Sequence, residues 1–186
     1  HTPVLQKYAP QILYPIPRHL ARQNLGLSEA LPFQGVDLWH AYELSWLDKS
    51  GKPVVRVGRF SVPATSPNIV ESKSFKLYLN SLNNSQFSCD EDARVTITTD
   101  ISAVAGADVT LRLYAADDPA LAGATLEGEC LDECIIEPRR GEPDAMQLEV
   151  QPGNVVEEVL YSHLLRSLCP VTGQPDWATV WLHYRG

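Results

Sequence analysis

The sequence predicts an α+β fold with antiparallel strands, and three observations predict it. Two segments of alternating apolar residues flank a turn near the start, two segments with a helical repeat follow, and alternation then returns in two further segments. Alternation marks a strand with one buried face, and recurrence at i, i+3, i+4 and i+7 marks a helix with one apolar stripe. The order is therefore strand, strand, helix, helix, strand, strand, and a last pair of strand-like segments begins a second unit.

Taken in order, residues 1–35 carry Pro3, Pro10, Pro15, Pro17 and Pro32 with no sustained period, which reads as an arm lying over the remainder. From Val36 to Trp46 the apolar residues Val36, Leu38, Tyr42, Leu44 and Trp46 fall on even positions. Asp48 to Gly51 then makes a turn and Val54 to Val62 is β-rich, so these segments form a hairpin. Phe75, Tyr78, Leu79 and Leu82 trace one helix face, with the helix starting near Glu71 and Ser72. A Ser at that start caps exposed N–H groups, and Lys73 and Lys76 add positive charge to an end that already favours anions. Local features leave two readings open, an ordinary capped helix and an anion site.

Residues 90–106 alternate at Val95, Ile97, Thr99 and Ile101 but also trace a stripe through Ala93, Ile97, Ile101 and Val104. Their ends decide for helix, because Asp90-Glu-Asp suits an N-terminus and Gly106 a C-terminal stop. Val109, Leu111, Leu113 and Ala115 then alternate as a strand, and 124–137 reads as another around Cys130. This gives a first module over 36–137 and a linker, rich in charge and turn formers, over 138–154. Periodicity does not decide residues 155–168, whereas 178–184 alternates cleanly; the pair reads as a hairpin opening a second module over 155–186.

The chain has 186 residues, is 44 % hydrophobic and has a net charge of −8. Such a chain buries a real core, and its charge disfavours a surface that tracks nucleic-acid phosphates. A small-molecule partner is the expectation, with no direct nucleic acid and no membrane, since no apolar run approaches the roughly 20 residues of a bilayer span. No export signal precedes the fold, although a chain opening on His1 leaves a removed leader open. Cys89, Cys130, Cys134 and Cys169 are too few for a disulfide scaffold, so reduced thiols in a cytoplasmic protein are expected. Cys130-Leu-Asp-Glu-Cys134 lacks a second ligand cluster, so no metal is expected.

The chemistry concentrates in Cys169-Pro-Val-Thr-Gly-Gln-Pro-Asp176-Trp177. Two prolines and a glycine favour a compact turn, and residues facing each other across a hairpin mouth have Cα atoms about 5 Å apart. A thiol is a nucleophile only as thiolate, and Asp176 could take its proton and later return one. An acid in that role works best in an apolar pocket, for which Pro175 and Trp177 would be walls. His163 and His183 lie six or seven residues from the turn on each side, about 20 Å along a strand, so neither forms a Cys–His dyad in this hairpin. A structural thiol beside a surface acid remains equally open at this point.

Two motifs together go further. Cys169 to Trp177 resembles the nucleophile loop of the QueF family of NADPH-dependent 7-cyano-7-deazaguanine reductases. Glu71-Ser-Lys-Ser-Phe-Lys-Leu-Tyr78 resembles its signature helix, and Leu31-Pro-Phe33, Tyr42 to Leu47 and Ser162 to Leu165 extend the likeness. The resemblance is to the bimodular type. It implies tandem tunnelling-fold (T-fold) units, each an antiparallel sheet with two layered helices, and it makes residues 155–168 a strand in the first hairpin of the second unit. It further implies that Cys169 attacks the nitrile carbon to give a covalent thioimide and that Asp176 protonates the nitrogen. Val70, Glu71 and Ser72 would hold the deazapurine and Ser72 and Lys73 the NADPH, in a step of queuosine (tRNA modification) biosynthesis. Members of that type continue beyond the point where this sequence ends, and pairing with another chain through sheet edges, a dimer first, is expected. Two alternatives stand beside this one: a cysteine nitrilase or amidase, and a non-catalytic purine-binding T-fold fragment.

Overall fold

The computed structural model describes residues 7–27, 30–135, 146, 148–150, 152–169 and 172–186. They fall into two compact units, His1–Ala122 and Gly123–Gly186. Both are built mainly from antiparallel strand pairs, and helices occur in the first, so the class is α+β.

In the first unit the strands β2 (Val36–Leu47), β3 (Pro53–Pro63) and β5 (Thr110–Tyr114) form an antiparallel sheet in the order β2-β3-β5. Helices α2 (Ser72–Ser81) and α3 (Asp90–Ala105) pack on one of its faces. The expected stripe of α2 is the buried one: Phe75, Tyr78, Leu79 and Leu82 join Leu44, Trp46, Phe60 and Leu111 in one core. Burying each of these side chains contributes about 2 kcal/mol relative to leaving it in water. The stripe of α3, Ala93, Ile97 and Ile101, enters the same core, and Gly106 at φ 71° ends the helix in the left-handed conformation.

The arm is more ordered than its prolines suggest. It contains β1 (Pro15–Pro17), which pairs antiparallel with β4 (Asn68–Val70), and the short helix α1 (Arg18–Asn24). Tyr8 and Tyr78 both donate to the same Asp100 oxygen at 2.6 Å, fastening the arm to α2 and α3. Burial and that carboxylate push the Tyr8 hydroxyl up to about 12 and the Tyr78 hydroxyl higher still.

One expectation about faces fails. The even-numbered apolar residues of β2 do not share a face, because a bulge between Ala41 and Leu44 shifts the register and inverts the alternation. Trp39 and Ala41 point at the core before it and Leu44 and Trp46 after it, leaving Val36, Leu38 and Tyr42 exposed.

The second unit contains β6 (Glu129–Cys130), β7 (Glu157–Leu168) and β8 (Pro175–Arg185), in that order in a three-stranded sheet. Residues 155–168 are thus mostly strand, paired antiparallel with β8. Of the strand read over 124–137, the described residues, which run to 135, hold Glu129–Cys130, two residues that pair parallel with β7, and the two compact units divide at 122/123. Most of the expected linker, 138–145, 147 and 151, lies outside the described residues. A second bulge, between Ser162 and Leu165, is held by Asp132, whose carboxylate accepts from the Ser162 hydroxyl at 2.7 Å and from the His163 backbone at 3.2 Å. The Ser162 hydrogen bond above all keeps the Asp132 carboxyl below its ordinary range. Among the described residues, none of the second unit's hydrophobic side chains is buried; Leu164, Leu168, Trp181 and Tyr184 are all exposed.

Candidate functional site

The start of α2 is built by three neighbours. Glu71 is its N-cap, and the side chain turns back so that Oε1 accepts from the Lys73 N–H at 2.9 Å and Oε2 from the Ser74 N–H at 2.6 Å. The arm completes the clamp: the Glu71 N–H donates to the Tyr14 carbonyl at 2.8 Å, and the Tyr14 N–H donates to Ser74 Oγ at 3.1 Å. The cap is therefore the acid and not the expected Ser72. The physical reason is reach, since a Glu at this position spans to the second and third helical N–H groups.

This changes which groups at the helix start are available. An incoming anion finds the Lys73 and Ser74 N–H groups already on a carboxylate, so the Ser72 hydroxyl and the Lys73 ammonium, both exposed, remain for it. Each Glu71 oxygen still has a second lone-pair site, enough to accept from an N–H edge. The backbone bonds, that from Lys73 first, hold the Glu71 carboxyl below its ordinary range. A depressed folded-state pKa means that its contribution is present above the unfolded value of about 4.3 and is lost as pH falls through the folded value. Urea unfolding of the chain is therefore expected to show stability declining below about pH 4.5. Glu71→Gln should flatten that slope, and Glu71→Ala should cost about 1 kcal/mol at neutral pH.

Val70 has a different standing from its neighbours. The residue is 7 % exposed and its side chain packs in the core, so any contact it makes with a ligand falls to its backbone, in β4. Ser72 lines a cavity of about 460 Å³ between α2 and β2, walled by Trp39, Tyr42, Phe75, Lys76 and Asn80. Trp39 meets Phe75 edge-on at 5.8 Å, and His40 stacks on Tyr42 at 5.9 Å. Sequence reading did not assign Trp39, Tyr42 and Asn80 to a site, and it placed Lys76 only with Lys73 at the anion-favouring helix start. Only the bulge turns the Trp39 to Glu43 stretch toward α2, and alternation cannot reveal it.

In the second unit Cys169 begins the turn between β7 and β8. Its N–H donates to the Gln174 carbonyl at 2.9 Å, and its carbonyl accepts from the Gly173 N–H at 2.9 Å. Gly173, at φ 69°, takes the left-handed position that such loops require. Asp176 pairs with Ser167, so it is not opposite Cys169 as expected but diagonal to it, at a Cα separation of about 7 Å. Pro175, Asp176 and Trp177 are exposed, and Arg166 lies 5.9 Å from the Trp177 ring. The expected apolar walls do not enclose Asp176 within this unit. Cys89, Cys130, Cys134 and Cys169 form no disulfide with one another.

A family model described as "Nitrile reductase, 7-cyano-7-deazaguanine-reductase N-term" matches residues 5–113. The chain belongs to this family. A relative from Dechloromonas aromatica named NADPH-dependent 7-cyano-7-deazaguanine reductase is 55 % identical over 181 residues, covering 96 % of this chain and 64 % of its own length. Relatives of the same name from Chromohalobacter salexigens and Saccharophagus degradans are each 50 % identical, over 182 and 185 residues, covering 97 % of the chain and 65 % and 67 % of their lengths. The chain thus spans about two thirds of the family members it matches, and both the start of α2 and the Cys169 turn lie inside the matched span. Among the described residues no helix is long and apolar enough to cross a membrane.

Proposed function

We propose that the chain acts in the NADPH-dependent reduction of the nitrile of 7-cyano-7-deazaguanine to the primary amine, in queuosine biosynthesis. One observation carries this reading: 55 % identity to a protein of that name over 96 % of the chain, a span that includes both motifs. In the proposed chemistry Cys169 Sγ adds to the nitrile carbon to form a covalent thioimide, and Asp176 gives the nitrogen its proton. The Val70 backbone, Glu71 and Ser72 hold the deazapurine, with the remaining lone pairs of Glu71 accepting from its N–H edge. Ser72 and Lys73 fit a phosphate of the cofactor through a hydroxyl and an ammonium on the exposed first turn of α2. NADPH supplies a hydride in each of two steps.

Tandem T-fold modules are the architecture we infer, and the two hairpins support it. Strands β2 and β7 are both 12 residues long, both are bulged between their sixth and ninth residues, and both are followed by a strand of 11. Such agreement in length and irregularity is what an internal repeat leaves behind. The boundaries proposed are an arm over 1–35, a first module over 36–137, a linker over 138–154 and the start of a second module over 155–186. Strand β8 is a sheet edge with apolar residues on it, and we infer pairing with another chain there, most simply in a homodimer, in the cytoplasm.

A second reading is favoured by one observation, the exposure of Asp176 and Trp177: a module that binds the purine without reducing the nitrile. Lys73→Ala helps to separate the two. On the reductase reading, NADPH binding followed by fluorescence titration weakens about tenfold, the loss of one charge-assisted contact, while thioimide formation on Cys169 is nearly unchanged. Unchanged NADPH affinity would remove Lys73 from the site.

A further inference from the structure

Apart from the cavity beside Ser72, the first unit has a second one of about 460 Å³, walled by Arg18, His19, Arg22, Gln23, Thr65 and Ser66. Its chemistry runs against a chain of net charge −8. Arg18 is fixed: its Nε donates to Ser66 Oγ at 3.0 Å, its Nη2 pairs with Asp37, and the fully buried Ser66 hydroxyl donates to the Asn68 carbonyl at 2.8 Å. Arg22 is anchored differently, through Nη2 to the Ala64 carbonyl. No carboxylate of a described residue forms an ion pair with Arg22, so its charge is not compensated there.

A guanidinium tied by one N–H to a carbonyl keeps four donors in a planar fork, the geometry that takes two oxygens of a phosphate at once. His19 lies one helical turn before Arg22 on the same wall, and Thr65 adds an exposed hydroxyl. Leu27 and Pro67 supply an apolar part to the lining. The cavity is within the range of small-molecule sites and larger than an inorganic ion needs. We propose that it binds a phosphomonoester carried on a ring-bearing small molecule of nucleoside monophosphate size, with Arg22 and His19 on the phosphate. This site is separate from the one at α2 and does not depend on the reductase reading.

The test is calorimetric titration of the whole chain with AMP, adenosine and inorganic phosphate at matched ionic strength. The expected result is that AMP binds more tightly than either part, that Arg22→Gln weakens AMP about tenfold or more, and that His19→Gln, an exposed residue, weakens it a few-fold. Circular dichroism of each variant reports whether the fold is kept, and His19→Gln carries the test if Arg22→Gln unfolds. AMP affinity insensitive to both changes, adenosine binding as tightly as AMP, or phosphate binding as tightly as AMP would each overturn the proposal.

Discussion

Phe75→Ala is expected to destabilise the first unit by about 3–5 kcal/mol, measured as a drop in urea midpoint at constant slope. Phe75 is 7 % exposed and meets Phe60 edge-on at 4.9 Å and Trp39 at 5.8 Å, so it ties α2 to both β3 and β2. Domains of this size have about 5–15 kcal/mol in all, so one truncation removes a large share. It also removes a wall of the cavity beside Ser72, and ligand binding there should fall with stability. A loss below about 1 kcal/mol would mean that α2 is held by something other than this aromatic contact.

The second large effect is chemical. On the proposed reductase reading, Cys169→Ala is expected to abolish covalent capture of 7-cyano-7-deazaguanine, read as the absence of the adduct mass on the intact chain. The fold should survive, because Cys169 sits in a turn whose hydrogen bonds to Gln174 and Gly173 use backbone atoms that alanine keeps. Circular dichroism of the variant should match that of the parent chain. An adduct that persists in the variant, carried by Cys89, Cys130 or Cys134, would contradict the assignment of the nucleophile.

Much of the first unit was legible because its helices carry unbroken stripes. Phe75, Tyr78, Leu79 and Leu82, and Ala93, Ile97 and Ile101, go to the core as their spacing requires. What could not be read are places where a single residue changes register. The bulge after Ala41 exposes Val36, Leu38 and Tyr42 and swings Trp39 inward, and no local composition announces it. The same limit applies to the Cys169 turn. Loop length sets which residue Asp176 faces, and pairing with Ser167 puts it diagonal to the thiol. At 129–130 a short parallel pairing with β7 depends on residues some thirty positions away, which periodicity over a short window cannot report.

The start of α2 was partly legible. Glu71, Ser72 and Lys73 were singled out from motif and charge, but the division of labour among them needed the geometry. Glu71 takes the helix N–H groups for itself and leaves a hydroxyl and an ammonium outward. That arrangement favours a phosphate held by side chains over one held by the helix end.

The most direct test of nitrile reduction is a count. The protein is incubated with 7-cyano-7-deazaguanine and NADPH, and cofactor oxidation at 340 nm is compared with nitrile consumed. The reductase account predicts two NADPH oxidised for each nitrile converted to the primary amine, as the electron balance of that conversion requires. Carboxylic acid and ammonia formed without NADPH would contradict it and make the Cys169 turn the centre of a hydrolase.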